Sequence, residues 1–353
     1  MQRDFHGDDL RRARPSSLSN KCNKDERWSG SFRFVQMADT QMGLLAAMGK
    51  YWWLRALNRG TCGLVRKAGV PVLDIMERKD GESALEHVTY TADEAYEVEK
   101  QLAKETVKCI NAMSPRPEFV VVCGDLVNAF PTTFGGKLQR EEVDEFKKQM
   151  SEIHPAIELV CVCGNHDVGD RPNAGTIETY TSRFGADYFT FHRRGIRFCV
   201  INSQLYKDST EAADLAAEQH SWLEKQMATR ERTVLFTHIP PFIKSPEEPS
   251  AYFNLDKETR MNLLNLCVKG GVEGIFAGHY HRNSTGVYRG IQVVTTGAVG
   301  ANITSVEGAS EYELLGLAGM SAVVADRTLS GYRVVSIKEE GVTHEFVPLL
   351  KSE

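Results

Sequence analysis

The 353-residue chain has no apolar run approaching the ~20 residues needed to cross a bilayer. Its N-terminus, Met1 to roughly Gly30, is polar and mixed in charge and lacks the apolar core of a secretory leader. A flexible tail on a cytoplasmic, non-secreted protein is the expectation for residues 1–30. Basic charge is not in excess either. The formal net charge of −5 gives no general attractive field for nucleic acid or an anionic membrane, so neither is expected as a partner. Cysteine is present but unpatterned: eight residues at 22, 62, 109, 123, 161, 163, 199 and 267, with no C-x-x-C pair. Several fall inside apolar runs, which predicts reduced core thiols rather than disulfides. No cysteine is followed by five residues and an arginine, which excludes the thiol-based phosphatase loop. There is no G-x-x-x-x-G-K-[ST] phosphate loop and no G-x-S-x-G nucleophile elbow.

What is present is the composition of a soluble globular protein, 42% hydrophobic and 25% charged. Phe32-Arg-Phe-Val-Gln-Met-Ala-Asp39 reads as a first strand. Residues 43–90, which include Tyr51-Trp52-Trp53, carry no clear periodicity; the aromatic cluster reads as packing. Thr91 and Glu94 form a capping box opening a helix whose apolar stripe runs through Ala95, Val98, Leu102, Cys109 and Met113. Pro115 and Pro117 end it. Strands follow over 119–123, 158–163, 196–201, 233–236, 272–276 and 291–295, interleaved with helices over 138–153, 212–228 and 257–268. Gly270-Gly271 closes the last of these helices. Residues 321–350 read as further strands with an antiparallel turn at Glu340-Gly341. No composition break divides the chain, so residues 31–353 are expected to form one α/β domain of alternating strands and helices.

The chemistry gathers where these strands end. In Glu158-Leu-Val-Cys-Val-Cys-Gly-Asn-His-Asp167 a buried strand runs into a glycine, expected there for backbone angles that a side chain forbids. Three polar groups then lie at the strand's C-terminal end, where open α/β sheets place their ligands. The same arrangement gives Asp39 and Gln41, Asp125 and Asn128, His238 before Pro240-Pro241, and His279 with His281. Carboxylates, imidazoles and carboxamides without a thiolate suit manganese, iron or zinc better than calcium or a thiolate zinc site. The set exceeds the four ligands of one tetrahedral ion. A pair of divalent or trivalent ions about 4 Å apart, sharing one carboxylate, accounts for the excess and is suited to cleaving phosphate esters.

These blocks resemble the calcineurin-like metallophosphoesterase superfamily in order as well as type. They read Asp39-Thr-Gln41, Gly124-Asp125, Gly164-Asn-His-Asp167, His238 and Gly278-His279-Tyr-His281, with the resemblance extending from about Phe32 to the C-terminus. Cys123-Gly-Asp-Leu-Val, Phe253-Asn-Leu, Gly278-His-Tyr-His-Arg-Asn283 and Gln41 are similar to a cytosolic serine/threonine protein phosphatase subgroup. The resemblance implies a four-layer α/β/β/α sandwich of two mixed sheets, with residues 43–90 as a family-variable insertion. It implies Asp39 and His281 on the first metal, Asp125 bridging, and Asn165, His238 and His279 on the second, with a metal-bridging hydroxide as nucleophile. His166 would act on the phosphoryl or leaving-group oxygen, and Asp167 would fix its ring. Asn165, His166 and Arg282 would contact substrate. Gln41 departs from the superfamily's usual histidine, and its amide oxygen is a weaker donor.

The expected function is hydrolysis of phosphomonoesters by a monomeric enzyme acting on a phosphoprotein or a small phosphoester. A serine/threonine protein phosphatase comes first. A phosphodiesterase or small-molecule phosphatase on the same core, or a non-catalytic metal-binding scaffold, is the alternative. Asn128 reads as a turn or capping residue. Activity is expected to fall below about pH 6, because imidazole must be neutral to bind metal.

Overall fold

The computed structural model describes residues 27–47, 73–77, 86–305 and 321–350. The N-terminal tail up to residue 26 and Tyr51-Trp52-Trp53 lie outside them. In chain order the strands and helices are β1 (Phe32–Met37), β2 (Leu73–Glu77), β3 (Glu86–Tyr90), α1 (Ala92–Asn111), β4 (Phe119–Cys123) and α2 (Lys137–Ser151). Next come β5 (Glu158–Val162), α3 (Asn165–Val168), α4 (Ala174–Phe184), β6 (Phe189–Arg193), β7 (Ile196–Val200), α5 (Gln204–Lys207) and α6 (Ala213–Met227). The chain continues through β8 (Thr233–Phe236), α7 (Lys257–Gly270), β9 (Val272–Ala277), β10 (Ser284–Tyr288) and β11 (Ile291–Thr295). It ends with β12 (Asn302–Ser305), β13 (Ser321–Ala325), β14 (Gly331–Lys338) and β15 (Gly341–Pro348).

Two mixed sheets form the centre, in the orders β15-β14-β1-β4-β5 and β10-β11-β9-β8-β7-β6. Their central strands bury both faces, which is why β4 reads as a continuous apolar run rather than an alternating one. Between the sheets lies a phenylalanine-rich layer: Phe34 stacks on Phe119 at 4.8 Å and meets Phe198, Phe236 and Phe276 edge-on. The other face of the first sheet packs Val35, Val120 and Leu159 against Val107 of α1 and Phe146 of α2. The other face of the second packs Leu235 and Ile275 against Leu223 of α6 and Leu264 of α7. Helix, sheet, sheet, helix is the layering implied by the family resemblance.

Local signals act as read. Thr91 and Glu94 cap each other at the start of α1. Gly271 takes the left-handed C-cap of α7 at φ +83°. A third sheet, β12-β13-β2-β3, was not anticipated. Two of its strands come from within residues 43–90, and β2 pairs in parallel with the distant β13. Such long-range pairing leaves no local trace in sequence. β6 and β10 were also missed, because each is an edge strand with a mixed polar face.

All six described cysteines are free, five of them buried. Among the described residues no helix is long and apolar enough to cross a membrane.

The interleaved rings predict a large cost for truncation. Phe34→Ala should destabilise the protein by about 3–5 kcal/mol in urea unfolding. A loss below about 1 kcal/mol would mean that the layer between the sheets repacks freely.

Candidate metal centre

β1, β4 and β5 run parallel in one sheet, and β7, β8 and β9 in the other. Asp39, Asp125 and Asn165–Asp167 follow the first trio, while His238 follows β8 and His279 and His281 follow β9. The turns that present them are tight. Asp39, Gln41, Asp125, His279 and His281 all have left-handed backbones, with φ of 50°, 34°, 47°, 67° and 55°. The other described non-glycine residues of this kind, Arg194 and Arg289, lie in the β6–β7 and β10–β11 turns. Such backbones cost about 1 kcal/mol or more each in a non-glycine residue, and persist only where surrounding structure imposes them.

The reason for Gly164 differs from the expected one. Its φ is −112°, ordinary extended backbone. What forbids a side chain is proximity, since a Cβ here would lie 2.2 Å from Asp125 Oδ1. Gly124 combines both constraints, with φ +83° and a Cβ position 2.4 Å from His238 Nδ1.

Three imidazoles are oriented by main-chain carbonyls. Carbonyl oxygens only accept, so each facing ring nitrogen carries the proton and the other keeps its lone pair. His238 donates from Nδ1 to Cys123 O at 2.9 Å, and His281 from Nδ1 to Ala301 O at 2.6 Å. His279 donates from Nε2 to Tyr252 O at 3.2 Å. His238 Nε2 then faces two further acceptors, Asn165 Oδ1 at 3.1 Å and Asp125 Oδ1 at 3.3 Å. Acceptors converging at that distance call for a proton or a cation among them. Asp125, His238 and His279 offer donor atoms within 4.8 Å of one another, and so do Asp39, Asp125 and His281. All five are buried, and Asp125 belongs to both groups. Gln41 Oε1 is buried without a hydrogen-bond partner among the described residues. The donor set therefore fits metal ions of intermediate softness.

The electrostatics follow from this crowding. Burial alone would depress the His238 imidazole, but the Asp125 carboxylate, with Asp39 behind it, more than reverses this and raises its pKa to about 9. Burial would likewise raise Asp125, yet His238 and His166 hold it well below the usual carboxylate range. Burial pushes Asp39 well up, with the Asp125 charge adding to it. Burial depresses His281 to about 4 and His279 well below its ordinary value.

One placement corrects the sequence reading. Asp167 does not touch the His166 ring. Its carboxylate accepts from Gly164 N at 2.7 Å and Leu126 N at 3.1 Å, joining the turns after β4 and β5. Burial and the neighbouring Asp125 raise its pKa to about 8. The His166 ring is instead held through Nδ1 by the carbonyl of Asn128, and Phe130 packs on its face at 4.4 Å. That carbonyl is positioned by Glu142, which accepts from Asn128 N and Ala129 N. His166 Nε2 is 4.0 Å from Asp125 Oδ2. Arg282 donates from Nε to Ile303 O at 2.6 Å, which ties it to β12. Sequence reasoning missed Tyr252 and Ala301, which act through backbone oxygens that any residue type supplies. It also missed Glu142, whose carboxylate acts only by holding the amides beside the Asn128 carbonyl.

The proton on His238 competes with metal, so affinity should fall with acidity. Mn²⁺ affinity is expected to weaken about tenfold per pH unit from about pH 8 to about pH 6, with at least about one proton released per binding event. Flat affinity over that range would contradict it. The competing protons thus belong to His238 and Asp39, whose pKa values are both raised, rather than to the ligand imidazoles in general. Gly164→Ala should remove metal binding while leaving a folded protein, as followed by calorimetry and circular dichroism; full metal uptake by the variant would refute the steric reading.

Residues 32–283 match the calcineurin-like phosphoesterase family. The chain is 31% identical over 350 residues to the serine/threonine-protein phosphatase CPPED1 of Homo sapiens, covering 97% of this chain and 96% of that protein. It is 35% identical over 286 residues to the Danio rerio protein of that name, 80% of each. Among solved structures, GAP50, the anchor in the inner membrane complex of Plasmodium, superposes with a TM-score of 0.51 at 12% identity, over 92% of this chain and 87% of that one. Purple acid phosphatase PPD1 from yellow lupin seeds gives 0.51 at 14% identity, over 91% and 52%. At such identities the structural likeness is one of fold. The matched segment contains every strand-end donor from Asp39 to His281, and the chain belongs to the calcineurin-like phosphoesterase family, metal-dependent hydrolases of phosphoric esters.

Proposed function

We propose that the protein hydrolyses phosphomonoesters at a two-metal centre and acts on phosphoserine or phosphothreonine in proteins. The observation that carries the two-metal reading is Asp125, the one carboxylate common to both donor groups. Asp39 and His281, with the buried Gln41 oxygen, would hold one ion. Asn165, His238 and His279 would hold the other, through the nitrogens and oxygens that the carbonyl contacts leave free. Manganese, iron or zinc suits these donors. Bound there, the ions would supply Lewis acidity, neutralising phosphoryl charge and lowering the pKa of water.

The chain's own residues supply the rest. Because Asn128 O holds Nδ1–H of His166, the protonated ring carries its second proton at Nε2, toward Asp125. That proton is placed for the leaving alkoxide oxygen, and general-acid help of this kind contributes typically 100-fold or more. Asp167 keeps the turns of Asp125 and Asn165 in register rather than touching the ring. The serine/threonine specificity is supported by the relatives named as such phosphatases, which match over most of this chain.

Residues 31–353 are read as one catalytic domain, with residues 43–90 as the family-variable segment. That segment's described strands, β2 and β3, join β12 and β13, and β12 reaches the site through Ile303. Substrate choice is assigned to this side. Intracellular, monomeric behaviour agrees with the free thiols but rests on the sequence reading.

With Mn²⁺ added, the wild-type protein should turn over p-nitrophenyl phosphate and phosphoserine peptides faster than nucleotides or cyclic nucleotides. His166→Ala should lower kcat by about 100- to 10,000-fold with metal uptake intact. If the metal-loaded wild type turns over no ester, a metal-binding scaffold replaces the enzyme reading. Preference for nucleotides would move the substrate to small molecules.

A further inference from the structure

One loop beside the centre is built with more care than a connection requires. Between β8 and α7 the chain makes no regular structure, yet polar side chains hold it in place. The fully buried Arg260 donates to the carbonyls of Pro246, Glu248 and Leu255 at 2.8 to 2.9 Å. The Glu248 carboxylate accepts from the amides of Ile243, Lys244 and Ser245 and from the Asn254 side chain. The Lys207 ammonium donates to the carbonyls of Ala251 and Asn254 at 2.6 and 2.7 Å. These groups leave water only because the loop satisfies them, and the result is a segment ordered in advance of any ligand.

At its apex is Tyr252. Its backbone carbonyl accepts from His279, its ring centroid lies 4.9 Å from that imidazole, and its hydroxyl oxygen accepts from Asn165 Nδ2 at 3.3 Å. Yet the residue is 47% exposed, whereas Asn165 beneath it is buried. The contact with Asn165 occupies a lone pair and leaves the O–H hydrogen without an acceptor among the described residues. A packing role accounts for the ring against His279. It does not account for an uncommitted donor at the boundary between the buried ligands and solvent.

We propose that Tyr252 is a substrate-binding residue whose hydroxyl donates to a non-bridging oxygen of the phosphate ester. The inference rests on the phosphoesterase reading above. Asn165 and Tyr252 form a relay of fixed polarity, in which the amide donates to the phenol oxygen and the phenol donates outward. The amide's other contact is the Asp170 carboxylate at 3.0 Å, and the phenol hydrogen stays free for an acceptor that a bound ester would bring. A hydrogen bond to a charged acceptor from a rigid donor is of the stronger kind.

Tyr252→Phe tests this, because it keeps the ring on His279 and deletes only the hydroxyl. With Mn²⁺ content matched to wild type, the dissociation constant of inorganic phosphate, read by calorimetry, should rise about tenfold or more. KM for p-nitrophenyl phosphate should rise with it. Unchanged phosphate affinity in the metal-loaded variant overturns the proposal. So does loss of Mn²⁺ affinity on the same substitution, which would make Tyr252 a support for Asn165 alone. Wild-type protein that binds phosphate but turns over no ester would sink the enzymatic reading, and the phosphate titration would still decide the role of Tyr252.

Discussion

A single buried carboxylate organises this end of the molecule. Asp125 has almost no contact with solvent, yet His166 N donates to it and His238 Nε2 faces it. A charge taken out of water is tolerated only if its surroundings supply partners with good geometry. The surroundings are arranged accordingly. Gly164 gives up a side chain so that Asp125 can approach the turn after β5, and Gly124 does so for His238. Asp167 ties the same two turns together without entering the donor set. Substitution at Gly164 or Asp167 would therefore be felt first at Asp125, and substitution at Gly124 at His238.

The left-handed backbones at Asp39, Gln41, Asp125, His279 and His281 are unfavourable taken one by one. Rigid flanking strands sustain them. Each turn follows a strand locked into the phenylalanine layer between the sheets, through Phe34 in β1, Phe119 in β4 and Phe276 in β9. The packing is too dense for a strand to slide and relieve its turn. The sandwich is thus what holds the donors at short range.

Much of this was legible in sequence. Apolar runs ending in glycine, histidine, asparagine or aspartate mark buried strands that deliver polar groups to one edge, and the period of residues such as Ala95, Val98 and Leu102 marks the helices outside. What sequence could not show was which group orients which. Asp167 beside His166 in the chain suggested an acid holding a ring, but residues adjacent at the start of a helix point apart, and α3 begins at Asn165. The work falls to the carbonyl of Asn128, a group every residue possesses. The same holds for Cys123, Ala301 and Tyr252, whose backbone oxygens leave one nitrogen free on each ligand imidazole. Side-chain identity announces donors; tautomer control is written in the backbone.

The third sheet brings the least periodic part of the chain to the edge of this arrangement. β2 and β3 come from the segment with the least periodicity, and β2 meets β13, which pairs with β12. Ile303 of β12 then binds the main chain of His281 and the side chain of Arg282. Changes in residues 43–90 can therefore reshape the wall beside Arg282, while His281 itself stays fixed by Ala301 and by its own turn. The Tyr252 loop is held by other groups, Arg260, Lys207 and Glu248, none of which touches the donor groups. The donors thus border two differently built segments: a sheet formed by long-range pairing that reaches them through Ile303, and a loop fixed by buried polar side chains.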